Sequence, residues 1–277
     1  MSTSTLERPT TTPARTHVEV GTRPVTLGRV ISSEWIKFRT LRSTLAVLGA
    51  SVIALLAIGL IVAYNTRHIT GKVQAEDLAT SATMQGYLLA QLLIGALGVL
   101  FVSGEYATGM IRSTLAAVPK RIPVLWAKLI VFVTVTLAAM LASAVVTFVA
   151  AQALIGRYRT GYSLSDPGAL RVVLGTAVFI TLIGVIGAAL GWILRSTPGA
   201  LVTFVAAILV VPVIFSSLLG TWGKDIGQYL PSNAGESFIH SIHAPNTLAP
   251  WTGLAVLGLW AVAGIAIAAV QLRRRDA

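Results

Sequence analysis

The sequence predicts an all-α polytopic membrane protein with six transmembrane helices, cytoplasmic N- and C-termini, and an amphipathic interface helix before the first span. Three observations carry that prediction. Of 277 residues, 55% are hydrophobic and only 11% are charged, which excludes an ordinary soluble domain. The apolar residues gather in runs of about twenty, the length that crosses the hydrocarbon core of a bilayer. With both termini inside, fifteen Lys and Arg fall on the cytoplasmic side and six outside, the expected asymmetry.

The net charge of +11 raises nucleic acid as a partner. In a polytopic membrane protein the same charge marks cytoplasmic loops and meets anionic headgroups, so the lipid bilayer is the expected partner and nucleic acid is not. The absence of cysteine excludes disulfides, thiolate metal sites and cysteine nucleophiles. The first residues lack the short apolar core of a secretory signal, so no cleavage is expected.

Residues 1–23, rich in Thr, Ser, Pro and Arg, read as a disordered cytoplasmic tail. Residues 24–43 form the interface helix. Leu27, Ile31, Trp35, Phe38 and Leu41 recur at helical spacing for the lipid side, while Arg29, Ser33 and Lys37 lie opposite, facing phosphate. The transmembrane domain, 44–272, holds spans at about 44–64, 83–102, 122–151, 169–194, 198–219 and 251–272. Thr197 is the expected cap of the fifth span, with Pro198 in its first turn and a kink at Pro212. The loop at 220–250 is expected to hold a small outer helix with a re-entrant path open to it. Residues 273–277 are a basic cytoplasmic tail.

The segment 103–121, between spans two and three, combines Glu105, Arg112, Lys120 and Arg121 with an apolar stripe of Met110, Ile111, Thr114 and Leu115. Ser103 is the expected cap and Pro119 the stop of a short helix across the cytoplasmic membrane face. Such a segment suits the receipt of force from a soluble partner.

Several motifs have plainer readings. Glu236, His240 and His243 resemble part of a metal site, but a solvated outer helix with local Glu–His pairing explains the spacing, and no metal is predicted. Gly95, Gly98, Gly184, Gly187 and Gly191 suit close helix packing within the bundle. No titratable residue sits at the centre of a span; Lys128 and Arg171 lie near ends where they can snorkel. That disfavours an ion-coupled carrier. Gly71-Lys72 and Gly223-Lys224 lack the following Ser or Thr of a phosphate-cradling loop, and no catalytic constellation is recognisable, so the chain is not expected to be an enzyme.

Three stretches are similar to one family: SEWIKFRTLRST at 33–44, GEYATGMIRSTLAAVPKR at 104–121 followed by Lys128, and LPSNAG at 230–235. With the six-span topology they resemble the type-2 ABC transporter permeases, in an actinobacterial form. The resemblance implies a bacterial plasma-membrane exporter subunit that works as a homo- or heterodimer with soluble ABC ATPase chains. No cofactor is implied in this chain; ATP and magnesium belong to the ATPase. Glu34, Trp35, Lys37, Phe38, Arg39 and Arg42 would belong to the interface helix. Glu105, Tyr106, Thr108, Gly109, Arg112 and Ser113 would be contact and hinge residues of a coupling helix. Alternatives from other classes are a non-transporting membrane scaffold or sensor accessory and, third, an ion-coupled secondary carrier.

Overall fold

The computed structural model describes residues 26–68, 82–110, 121–158, 162–240 and 247–274. The tail at 1–23, the end of the chain at 275–277, and Arg112, Ser113 and His243 lie outside the described residues.

Every regular element among the described residues is a helix. α1 is Leu27–Thr40 and α2 is Arg42–Thr66. A single 3-10 turn at Ala82–Met84 precedes α3, Tyr87–Ala107. α4 is Arg121–Ile155, α5 is Ala169–Leu194 and α6 is Thr197–Ser217. Two short helices, α7 (Gly220–Gly227) and α8 (Pro231–Ile239), lead to α9, Pro250–Arg274. Six of these, α2 to α6 and α9, are long and apolar enough to cross a membrane, so the chain is a multi-pass membrane protein.

α5 is the central span: 78% of its most apolar stretch is buried, against 17% for α2 and 22% for α6 and α9. Glycine accounts for its position. A Cβ on Gly98 of α3 would lie 2.1 Å from the Gly184 carbonyl oxygen of α5, and one on Gly187 would lie 2.2 Å from that of Gly95. The two backbones touch where any side chain would force them apart, the small-residue packing that replaces hydrophobic attraction inside a bilayer. Gly95 also receives the ring of Phe204 from α6.

α6 is not a uniform helix. Pro212 has no N–H and its ring crowds the carbonyl four residues back, at Ile208. The backbone answers with a π-helical turn at Ala206–Val210, centred on Ile208. The helix is capped by Ser196, which accepts from the Gly199 amide, one residue before the Thr197 cap expected from sequence. Thr197 is instead inside the helix, free to turn its hydroxyl to a neighbour.

α8 runs antiparallel to α9 and rises beside α5. Trp260 Nε1 donates to the Tyr229 carbonyl at 2.9 Å below its start. Gly235 packs on Phe179, Gly175 on Phe238, and Phe238 meets Trp251 edge-on at 5.1 Å. Arg171 closes the top by donating to the carbonyls of Phe238 and His240. Phe179 and Arg171 are eight residues apart, so α8 climbs about 12 Å along α5.

Candidate functional site

Three successive turns of α1 face the protein: Val30, Glu34 and Phe38 are buried. Val30 packs with Val124 and Ala127 at the base of α4, and Phe38 meets Phe101 of α3 edge-on at 5.2 Å. Between these apolar contacts lies Glu34, fully buried. A buried carboxylate is tolerated only with charged or hydrogen-bonding partners. Lys128 of α4, 2% exposed, supplies one at 2.7 Å from Oε2, and Lys37 supplies another at 2.7 Å from Oε1.

The same two ammonium groups converge on Glu105 near the end of α3. Lys37 Nζ lies 2.8 Å and Lys128 Nζ 3.0 Å from Glu105 Oε1. The result is a closed, neutral quartet of alternating charge that joins α1 to the neighbouring ends of spans two and three. Lys128 also donates to the Phe101 carbonyl at 3.4 Å and lies 4.2 Å from the centre of the Phe101 ring. Burial opposes the charge on Lys37, but the carboxylates of Glu105 and Glu34 outweigh it and hold Lys37 above the ordinary lysine range. Glu105 Oε2 is buried without a hydrogen-bond partner among the described residues.

Further ties anchor this end of α3. Ser103 and Thr197 share a hydroxyl–hydroxyl hydrogen bond of 2.8 Å, linking span two to the start of span five. The Arg195 guanidinium lies 5.4 Å from the Tyr106 ring. α3 then ends abruptly. Thr108 donates its amide and hydroxyl to the Gly104 carbonyl, and Gly109 takes a left-handed φ of +70°. Thr108, Gly109 and Met110 are exposed.

These placements correct several expectations. Ser103 does not start a helix: α3 continues through it to Ala107, because Ser103 and Glu105 have partners inside the bundle. Lys128 does not snorkel, since two carboxylates hold it inside. Phe38 and Lys37 turn toward the protein rather than toward lipid tails and phosphate, drawn by Phe101 and Glu105. Glu105 and Tyr106 turn inward, and Trp35, Arg39 and Arg42 are exposed. At the opposite end of the bundle, Glu236 is not a solvated surface group. It is partly buried, and His240 meets Arg171 through its carbonyl. No group of metal-ligating residues occurs among the described residues.

Sequence reasoning missed the part played by Glu34 and Lys128 together. A signal was available: a lone Glu in an otherwise basic amphipathic helix, and a Lys set inside the apolar run of span three. No protein-family model matches the chain, and a search of curated proteins finds no match.

Proposed function

We propose that this chain is the membrane-spanning permease subunit of an ATP-driven exporter in the bacterial plasma membrane, driven by a separate soluble ABC ATPase. The observation that carries the reading is the quartet. It ties α1, span two and span three into one block immediately before the exposed break at Thr108 and Gly109. Force applied beyond that break would reach three elements together rather than bend one helix end. Span two passes it onward through the glycine contacts with α5 and the hydroxyl pair with α6. In this reading Trp35, Arg39, Thr108 and Gly109 belong to the cytoplasmic surface, and Glu34, Lys37, Glu105 and Lys128 transmit motion from inside. Two permease copies would enclose the path.

The quartet bears on the competing readings too. An ion-coupled carrier needs a group that exchanges its proton or ion during the cycle. Here two carboxylates and two ammonium groups neutralise one another, which favours a structural joint. A scaffold or sensor accessory would use the same surface without turnover.

The test is co-expression with the cognate ATPase chain, co-purification, and ATPase measurement in liposomes. Stimulated ATP hydrolysis that Arg112→Ala lowers severalfold in a correctly folded complex supports coupling. Binding without stimulated hydrolysis supports the scaffold reading. Unaltered binding and turnover in both Arg112→Ala and Glu105→Gln would remove the coupling role.

A further inference from the structure

A second buried polar centre sits where α8 begins, well inside the bundle. Trp260 Nε1 donates to the Tyr229 carbonyl, and Trp260 is ten residues beyond Pro250, the first residue of α9. The start of α8 therefore lies about 15 Å along the bundle from that end of α9, half the thickness of a hydrocarbon core. At such depth a polar group finds its partner in the protein or in a ligand.

Two side chains there have none in the protein. Gln91 of α3 is 3% exposed and Ser232 of α8 is 2% exposed. Gln91 Oε1 and Ser232 Oγ are buried with no hydrogen-bond partner among the described residues. Their neighbours bring them to one height. One turn before Gln91, the Tyr87 ring meets Phe179 of α5 edge-on at 5.7 Å. Three residues after Ser232, a Cβ on Gly235 would lie 2.2 Å from the same Phe179 ring. α3 runs parallel to α5 and α8 antiparallel, so Gln91 and Ser232 both come level with Leu182 and Ile183.

They also share a direction. Gln91 lies on the helix surface between Tyr87, which meets α5, and Gly95, where a Cβ would strike the Phe204 ring of α6. It points into the crease between α5 and α6. Ser232 shares its face with Ile239, two turns on, which meets α5 at Gly175. That face is turned away from Ala234 and Ser237, which meet Gly253 of α9. α8 packs on the π-helical turn of α6, which is level with Gln91 because Phe204 is level with Gly95.

The groups gathered there suit an uncharged hydrogen-bonding partner. Leu230 gives α8 no side-chain cap, and Pro231 has no N–H. The first intrahelical bond runs from Ala234 to the Leu230 carbonyl, so the Ser232 and Asn233 amides have no acceptor inside the helix. Gln91 Oε1 adds an acceptor to these donors. α3, α6 and α8 carry no Lys or Arg, and Arg171 is twelve residues, about 18 Å, along α5 from Ile183. An anion would meet no cation at this depth, and a cation would meet the amide donors of α8.

We propose that Gln91, Ser232 and the first turn of α8 form a binding site for one small neutral hydroxyl group, which accepts from Ser232 and donates to Gln91 Oε1. Water can supply that group, as can an alcohol dissolved in the bilayer. No ATPase takes part, so the test stands apart from the coupling test.

Radiolytic labelling of the full chain in nanodiscs reads the site directly. A bound water activated by radiolysis oxidises the nearest ring, and Phe179 is fully buried beside the site. With dose normalised to the exposed Trp222, Phe179 should be oxidised in the native chain and severalfold less in Gln91→Leu combined with Ser232→Ala. Protection of Phe179 by 1-octanol but not by octane assigns an organic hydroxyl as a second occupant, and protection by neither leaves water as the occupant. Equal protection by octane would make the site an apolar cavity and overturn the proposal. Thermal midpoints of the two single variants and the double should be non-additive, because both groups share one ligand. An unoxidised Phe179 in the native chain overturns the site, as does oxidation that persists in the double variant. Midpoint rises that simply add would mean two dry, unpaired groups and overturn it too.

Discussion

Lys128 Nζ lies 2.7 Å from Glu34 Oε2, although 94 residues separate them in the chain. Both groups are almost wholly enclosed. Removing one partner from a buried pair leaves an uncompensated charge and typically costs about 3–5 kcal/mol, whereas replacing the set with apolar groups is often neutral. Lys128→Met should therefore lower the thermal midpoint strongly, because it leaves two carboxylates with Lys37 as the one ion-pair partner remaining to them among the described residues. Glu34→Gln combined with Lys128→Met should cost clearly less than the sum of the single changes. Additive losses in a double-mutant cycle would mean that the two groups are not coupled.

Stability should also depend on pH through Glu236. Burial pushes its carboxyl up to about 7 in the folded protein, above the ordinary carboxylate value it has when unfolded. A raised carboxyl value favours the folded state while the group is protonated. The contribution is complete below about pH 4.5, falls as pH rises, and is gone above about 7. Differential scanning measurements should show the thermal midpoint of Glu236→Gln losing less between pH 5 and 8 than that of the native chain. Equal slopes in the two proteins would assign the pH dependence elsewhere.

The all-helical class and six apolar spans were legible because length and composition alone determine whether a helix can cross a bilayer. The packing glycines were legible as a class, since small residues at helical spacing permit close approach. Which glycine met which was not, because that depends on the relative height of α3 and α5. The quartet was hidden for a related reason. A helical wheel of residues 24–43 puts Lys37 on a polar face, but the face that is buried is decided by Glu105 and Lys128, far along the chain. Ser103 misled in the same way: a Ser before a polar stretch resembles a cap, yet its hydroxyl is used by Thr197. Local rules succeeded where one element decides the outcome, and failed where a distant partner does.

Gly98→Ala tests the contact between α3 and α5. The added methyl would meet the Gly184 carbonyl oxygen at 2.1 Å and the Ala188 amide nitrogen at 2.9 Å. Neither is the tip of a flexible side chain, so the helices must separate. Overpacking of this kind costs about 1–3 kcal/mol or more. Gly49→Ala is the control, because its Cβ would meet nothing within 4 Å and helix propensity favours alanine. Thermal unfolding in matched detergent should rank Gly98→Ala well below the native chain and Gly49→Ala at or slightly above it. Equal midpoints would show that the two spans do not pack backbone to backbone.

Gly109 separates a structural loss from a loss of coupling. Its φ of +70° is disfavoured for any residue with a Cβ, while no atom of the described residues lies within 4 Å of where that Cβ would be. Gly109→Ala should therefore cost only about 1 kcal/mol, through backbone strain at an exposed helix end rather than through a clash. The quartet and the glycine contacts, which lie within the bundle, should remain intact. If the break after Thr108 directs the following segment toward an ATPase, the altered exit angle should reduce stimulated hydrolysis severalfold while the thermal midpoint moves by a few degrees at most. Asn, which tolerates the left-handed region better than Ala, should recover part of the activity at the same position. Full stimulation in Gly109→Ala would mean that the direction of this exit does not matter for coupling. Lost stimulation that Gly109→Asn fails to restore would point to the missing glycine surface rather than to its backbone angle.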